Sequence, residues 1–211
     1  MVSTAPLSPE DFAKLTGVSR ETLARLERYA ALLAAWQAKI NLVSTASLKD
    51  IWRRHILDAA QLAALIPGTR RRLVDIGSGA GLPGLVLAIL GFEDVMLIES
   101  DGRKCAFLKE AARITGVSVE ILHGRAEDAP RERPAAVVTA RALAPLPKLL
   151  ALAHPLASSD ASYLFLKGKR IEDELTAAQK SWTLHIERFP SITDRSGTVL
   201  RLTEVARAIK S

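Results

Sequence analysis

Cysteine occurs once in the 211 residues, at Cys105. A single thiol excludes an intrachain disulfide framework and a multi-cysteine metal site. Aromatic residues make up only 5%, too few for the stacking platform of an RNA-binding sheet. No apolar run approaches the ~20 residues of a membrane span. The longest, Leu82 to Phe92, holds two glycines and a proline. Pro9, Glu10 and Asp11 stand near the start without a basic-then-apolar pattern, so no signal peptide is expected. His123, His154 and His185 are scattered with no metal-ligand spacing, and no metal is expected. The cytoplasm is the expected compartment, and a monomer the expected state.

What is present is ordinary for a globular protein: 48% hydrophobic and 25% charged residues. The length suits one domain with an appendage. Lys and Arg number 29 against 23 Asp and Glu, a net charge of +6. That surplus points to a polyanionic partner such as nucleic acid.

The first third reads as helix. Ser8-Pro9-Glu10-Asp11 supplies an N-cap, a proline at the first helical position and early acids. Ser19 opens a second helix, in which Leu23, Leu26, Tyr29, Ala30, Leu33 and Trp36 recur at helical spacing. Ser47, with Asp50 three residues on, opens a third that runs to about Leu65, where Pro67-Gly68 stops it. Trp36 and Trp52 are read as core. From Arg72 the texture alternates. Strands are expected at Leu73–Ile76, Val95–Glu99, Val117–Leu122, Ala135–Thr139 and Tyr163–Lys167. Helices are expected between them at Leu82–Leu90, Arg103–Thr115, Leu146–Leu156 and Ile171–Lys180. This order predicts βαβ units and a parallel sheet. Leu184–Phe189 and Thr198–Val205, joined by Asp194-Arg195-Ser196-Gly197, predict an antiparallel pair at one side.

Asp75-Ile76-Gly77-Ser78-Gly79-Ala80-Gly81-Leu82-Pro83-Gly84 lies where the first strand meets the first α/β helix. Glycines there let the backbone turn tightly and approach a ligand. Glu99 follows Gly77 by twenty-two residues, at the end of the second strand, where an acid takes ribose hydroxyls in nucleoside-binding α/β folds. Three readings stand. Gly79-Ala80-Gly81-Leu82-Pro83-Gly84 fits the dinucleotide fingerprint, but the strand would have to run through Gly77 and Ser78. Asp75-x-Gly77-x-Gly79-x-Gly81 fits the looser loop of S-adenosylmethionine (SAM) methyltransferases and starts directly at the strand end. The third makes the loop purely structural. The SAM reading is preferred, with Asp75, Gly77, Gly79, Gly81, Leu82 and Glu99 as cofactor-binding residues. For Glu99 the plainer account is a surface acid beside Arg103.

Asn41-Leu42-Val43, Arg54-His55-Ile56-Leu57-Asp58, the loop itself and Arg141-Ala142-Leu143-Ala144 together resemble the bacterial 16S rRNA guanine-N7 methyltransferases, the methyltransferase G or glucose-inhibited division protein B family. The likeness spans roughly Ala30 to Gly168. It implies a Rossmann-like SAM-dependent methyltransferase fold: a mostly parallel sheet with an antiparallel C-terminal strand and an N-terminal helical extension. The expected division is a helical cap over residues 1–69 and a SAM-binding domain over 70–211, as one compact unit. The resemblance implies SAM as donor and, as acceptor, N7 of the guanine at position 527, in the 530 loop of 16S rRNA, in the small subunit or an assembly intermediate. It carries over Gly77 and Leu82 as loop contacts, Ala126 and Glu127 as adenine-side contacts, and Arg141 as a further cofactor contact. For Glu127 the plainer account is an acid at a helix start. Ala59 departs from the family pattern, where serine is common, and a helix-surface contact is affected.

Guanine N7 carries a lone pair and no proton, so no general base is required. Cytosine C5 chemistry would need a nucleophilic cysteine, usually after proline, whereas Cys105 follows Lys104 inside an expected helix. Adenine N6 chemistry would show Asn/Asp-Pro-Pro-aromatic where Thr139-Ala140-Arg141-Ala142 stands. Arg103 and Lys104 follow the second strand, Arg125 the third, Arg141 the fourth, and Lys167, Lys169 and Arg170 the fifth. In a parallel sheet these share the carboxyl edge where ligands bind. With Arg54 they form a candidate RNA phosphate collar, the alternative being ordinary solvated helix starts. Arg141 and Lys167 are the candidate catalytic residues. Arg141 beside a sulfonium would be repelled, so it is expected to reach the methionine carboxylate or an RNA phosphate. Arg54 and Asp58 can pair four apart on a helix, and His55 can bond Asp58 locally. Alternatively this helix lies over the crevice.

Overall fold

A computed structural model describes residues 5–69 and 71–208. The expected boundary at Arg70, and residues 1–4 and 209–211, lie outside the described residues. Among the described residues the strands β1 (Leu73–Ile76), β2 (Val95–Glu99), β3 (Glu120–His123), β4 (Ala135–Arg141), β5 (Ala157–Lys167), β6 (Trp182–Pro190) and β7 (Thr198–Arg207) form one sheet. Its order is β3-β2-β1-β4-β5-β7-β6. β1 to β5 are mutually parallel, and β7 runs antiparallel between β5 and β6. β1 is buried at every position, as a parallel strand covered on both faces must be.

The N-terminal helices are α1 (Pro9–Thr16), α2 (Arg20–Gln37), α3 (Thr45–Leu48) and the short α4 (Asp58–Ala60). The Ser8 and Ser19 hydroxyls cap the first two, accepting from the N–H groups of Asp11 and Thr22 at 3.1 Å each. With α5 (Gly84–Ile89) and α6 (Gly102–Thr115) they cover one face of the sheet. Phe12, Leu26, Leu33, Leu85 and Phe107 pack there against Leu73, Leu97 and Val137. On the other face α7 (Leu146–Ala153) and α8 (Ile171–Gln179) set Leu149, Leu150 and Leu175 against Ile76, Ile98, Val138 and Phe165. The helical cap thus shares an apolar core with the sheet. Trp52 is buried against Phe12, with ring centroids 5.4 Å apart, while Trp36 is half-buried, edge-on to Phe107.

Several boundaries differ from the sequence reading. The third helix is not continuous. Ser44 rather than Ser47 caps α3, a π-helical stretch follows at Trp52–Leu57, and a 3-10 turn at Gln61–Leu65 closes the segment. Trp52, His55, Ile56, Leu57, Ala59, Ala60 and Leu62 are all buried, a face too broad for a straight α-helix, and the wider π turn redistributes it. Ala59, expected at the helix surface, is fully buried. β3 starts at Glu120 rather than Val117, because Val117 still closes α6 by donating to the Ala112 carbonyl at 3.2 Å. α5 starts at Gly84, two residues later than expected. β5 starts at Ala157, six residues earlier, its pairing with β4 shifting register between Ala135 and Val137.

A buried hydrogen bond ties the cap to the glycine loop. The fully buried Tyr29 donates its hydroxyl to the Ala80 carbonyl at 2.7 Å. Tyr29→Phe leaves that carbonyl without its partner, so stability in urea is expected to fall by about 1–3 kcal/mol. An unchanged unfolding midpoint would show that the bond contributes nothing.

Candidate active site

The glycine loop is built from β1 outward. β1 stops at Ile76, and Gly77 turns with φ +67. The dinucleotide reading needs a strand through Ser78; the loop instead begins at the strand end. Gly77 and Ser78 donate their N–H groups to the Ile98 carbonyl at 2.9 and 3.0 Å, so the loop leaves the sheet along β2. Under it lies Asp75, fully buried. One carboxylate oxygen accepts from Gly84 N–H at 3.2 Å and the other from the Thr139 hydroxyl at 2.7 Å. The far end of the loop is therefore anchored to its start. A side chain at Gly84 would come within 2.6 Å of the Asp75 Cβ. Glu99 holds the middle: its carboxylate accepts from Gly79 N–H and Asp101 N–H, each at 2.8 Å.

Three cavities meet here, at the strand-order reversal between β1 and β4, where open α/β sheets bind ligands. A cavity of about 420 Å³ is lined by Leu42, Val43, His55, Gly77–Ala80, Leu82, Lys104 and Arg141. Across Gly77 lies a slot of about 130 Å³ with apolar walls from Ile98, Ala126, Leu143 and Leu152, and Arg125 and Glu127 at its edge. A third cavity, about 370 Å³, opens beside the carboxyl ends of β4 and β5, with Lys167, Arg170 and Glu174. Arg141, Ala142, Asp58 and Asp194 line both the first and the third. Ala142 has φ +54, a conformation uncommon for a residue with a side chain. It sits between Arg141, at the wall of both cavities, and Leu143, whose methyl lies 2.6 Å from where a Gly77 Cβ would be.

The structure thus gathers Gly77, Gly79, Leu82 and Arg141 around one cavity and Ala126 and Glu127 around its neighbour. Asp75, Gly81 and Glu99 do not line them: Asp75 and Glu99 brace the loop from below, and Gly81 is buried against Leu85. Lys167 differs most from expectation. Its side chain is 8% exposed, and its ammonium donates to Glu174 at 2.7 Å and the Ala144 carbonyl at 2.8 Å. It is a neutralised strut between β5 and α8 rather than a free rim cation. Arg103 pairs with Asp101 at 3.6 Å and lines a separate hollow with Gln37 and Asn41. Arg54 pairs with Asp194 at 3.4 Å, not with Asp58. The side chains of Lys104, Arg125, Lys169 and Arg170 have no ion-pair or hydrogen-bond partner among the described residues. Of these, Lys169 lines none of the three cavities.

Arg141 does not point freely outward either. Its guanidinium donates to the Asp58 carboxylate and the Arg54 carbonyl, both at 3.2 Å, and to His55 Nδ1 at 3.1 Å. Asp58 in turn accepts from the Thr193 hydroxyl at 2.6 Å, in the β6–β7 turn. The local His55–Asp58 bond does not form. Thr193 and Asp194 are site residues that sequence reasoning misses; they sit in a polar turn, and no local pattern announces that the turn folds over the crevice.

The fold is that of the SAM-dependent methyltransferases. A TehB-like SAM-dependent methyltransferase from Corynebacterium glutamicum matches with TM-score 0.56 at 18% identity, over 85% of this chain and 98% of that one. M. jannaschii TYW2 in complex with AdoMet matches with TM-score 0.58 at 16% identity, over 81% and 80%. At the sequence level the family model for rRNA small subunit methyltransferase G matches residues 22–198. Ribosomal RNA small subunit methyltransferase G of Paramagnetospirillum magneticum is 54% identical over 202 residues, 95% of this chain and 98% of the relative. The Rhodospirillum rubrum protein of the same name is also 54% identical over 202 residues, 96% and 100%. The chain belongs to the rRNA small subunit methyltransferase G family.

Burial pushes the Asp75 carboxyl up to about 6, against the opposing pull of its bonds to Thr139, Ser78 and Gly84 and the charge of Arg141. The unfolded chain releases this proton near 3.8. Between those values the folded state binds more protons, so stability falls as pH rises. Measured against Asp75→Asn, which cannot titrate, the wild type is expected to lose about 2 kcal/mol between about pH 4 and pH 7, at ~1.36 kcal/mol for each tenfold gain in proton affinity. Urea unfolding at each pH measures it. Parallel pH dependences for the two proteins would show that the buried carboxyl does not titrate there.

Proposed function

We propose that the protein transfers a methyl group from S-adenosylmethionine to N7 of a guanine in 16S rRNA, at position 527 in the 530 loop. The observation that carries this is the pair of cavities flanking Gly77, joined through Arg141 and Ala142 to a third at the same sheet edge. Membership of the rRNA small subunit methyltransferase G family supports the acceptor class.

The residues present fit the donor. The apolar slot of Ile98, Ala126, Leu143 and Leu152 suits a flat adenine, with Glu127 at its edge. Glu99 lies just behind the cavity wall at Gly79, and its oxygens each accept one backbone N–H and keep acceptor capacity for a ribose hydroxyl that reaches past that loop. Gly77 lines both cavities and has no room for a side chain, because Leu143 packs against it and its backbone turns with φ +67. Arg141 has two N–H groups left for an anionic oxygen pair. When bound, SAM supplies a methyl group activated by a positively charged sulfur.

The third cavity, on the far side of Arg141, is the place for the acceptor base, which has to leave its stack to present N7. Because N7 bears no proton, the side chains need only hold two partners in line, and proximity supplies most of the rate. Lys167, held by Glu174, braces the wall of this cavity. The unpaired Lys104, Arg125, Lys169 and Arg170 supply charge for RNA phosphates, in the small subunit or an assembly intermediate.

Labelled SAM and small subunits from cells lacking the protein provide the test, with nucleoside analysis of the product. Label in 7-methylguanosine is the expected result. Transfer to another nucleoside or to protein would assign a different acceptor, and SAM binding without any transfer would indicate a non-catalytic RNA-binding relative. Glu99→Gln is expected to weaken SAM binding by about 10- to 100-fold, the worth of a hydrogen bond to a charged group. Unchanged affinity by calorimetry would remove Glu99 from the ribose site.

A further inference from the structure

His55 is a buried histidine in the wall of the cavity that Gly77–Ala80 line, and the reaction as derived above does not use it. Its hydrogen bonds fix its state. Ser47 donates its own hydroxyl proton to the Ser44 carbonyl at 2.7 Å, so it receives the 2.8 Å bond from His55 Nε2. Nε2 therefore carries the ring proton. Nδ1 is bare and accepts from Arg141 at 3.1 Å, since an arginine can only donate. A protonated His55 would lose this acceptor and face Arg141 and Arg54 with a second positive charge. Burial first, then those two guanidinium groups, lower the imidazole to about 3. Asp58 lies beside it. One of its oxygens accepts from Arg141 and the other from Thr193 and Gln61. Arg141 thus has three of its five N–H groups fixed by His55, Asp58 and the Arg54 carbonyl.

We infer that His55 and Asp58 are positioning residues for Arg141, clamping its guanidinium at the seam of the two cavities and leaving two N–H donors for one anionic ligand group. The inference rests on reading the crevice as a methyl-donor and RNA site. A free arginine at this place would sample many rotamers and repel a sulfonium. The clamp removes both problems: it sets the fork in advance, and the Asp58 carboxylate offsets the charge while the neutral imidazole adds none. The ligand chemistry is a pair of anionic oxygens, from the methionine carboxylate of the donor or from an RNA phosphate. The π-helical stretch at Trp52–Leu57 carries the Arg54 carbonyl and His55, with Asp58 next in sequence, so one backbone segment presents all three acceptors.

The test is a double-mutant cycle on the full chain, with SAM affinity by calorimetry and KM for small subunits as readouts. His55→Phe and Asp58→Asn are each expected to raise one of these constants by roughly tenfold, the worth of a hydrogen bond to a charged group. In an Arg141→Met background both should add nothing, because they act through Arg141. His55→Asn, which can still offer an acceptor, should restore part of the loss. A raised Kd for SAM identifies the carboxylate as the anion; a raised KM at unchanged Kd identifies a phosphate. Equal losses with and without Arg141 would mean a merely structural role and overturn the clamp, as would unchanged constants in a wild type that binds SAM. A wild type that binds no SAM overturns the underlying reading and the clamp with it. If His55→Phe fails to fold, Asp58→Asn and Thr193→Val carry the same cycle.

Discussion

The buried Asp75 carboxylate is the constraint from which the ligand edge is built. It lies at the end of the central strand with no exposed surface, and its two oxygens reach the far end of the glycine loop and the neighbouring strand. A short loop rich in glycine has high conformational entropy when free. Closing it on a charged acceptor in a low-dielectric core converts a permissive segment into a shaped one. Burial also raises the carboxyl's affinity for its proton, the cost of placing an acid there. Glu99 repeats the device one strand over, holding Gly79.

A second polar assembly crosses the crevice at right angles to this logic. The N-terminal helical segment contributes His55 and Asp58, the central sheet contributes Arg141, and the C-terminal hairpin turn contributes Thr193 and Asp194. The bonds among them join residues 83 to 140 positions apart. The crevice is therefore enclosed by both ends of the chain, and the helical cap is part of its wall. Arg54 and Lys167, charged residues on the same rim, are likewise tied to acids. Of the candidate collar, Lys104, Arg125, Lys169 and Arg170 keep side chains unpaired among the described residues, and Lys148 at the slot beside Gly77 adds another.

Much of the architecture is legible in the chain. Alternating strand and helix texture after Arg72 predicts the parallel sheet, and the Asp194–Gly197 turn predicts the antiparallel pair. Glycines directly after Asp75, with an acid at Glu99, point to the loop. Those features are local, because strand and helix periods and turn residues act within a few positions. The third helix is not legible in the same way. Its apolar residues suit helical spacing, while the π turn answers to a core on one side and Arg141 on the other. Lys167 reads as a rim cation because spacing places it at a strand end; that Glu174 neutralises it depends on how α8 packs.

By itself, then, the sequence determined the order of elements, the glycine loop, the acids at the ends of β1 and β2, and a family resemblance resting on contiguous motifs. Only the tertiary structure decided which charges remain free, which way the His55 ring carries its proton, and that Asp58 serves Arg141 rather than Arg54. The physical reason is range. Backbone propensity and periodicity act between neighbours, whereas a hydrogen bond needs its partners within about 3 Å whatever their separation in sequence, and only the packed fold sets that distance.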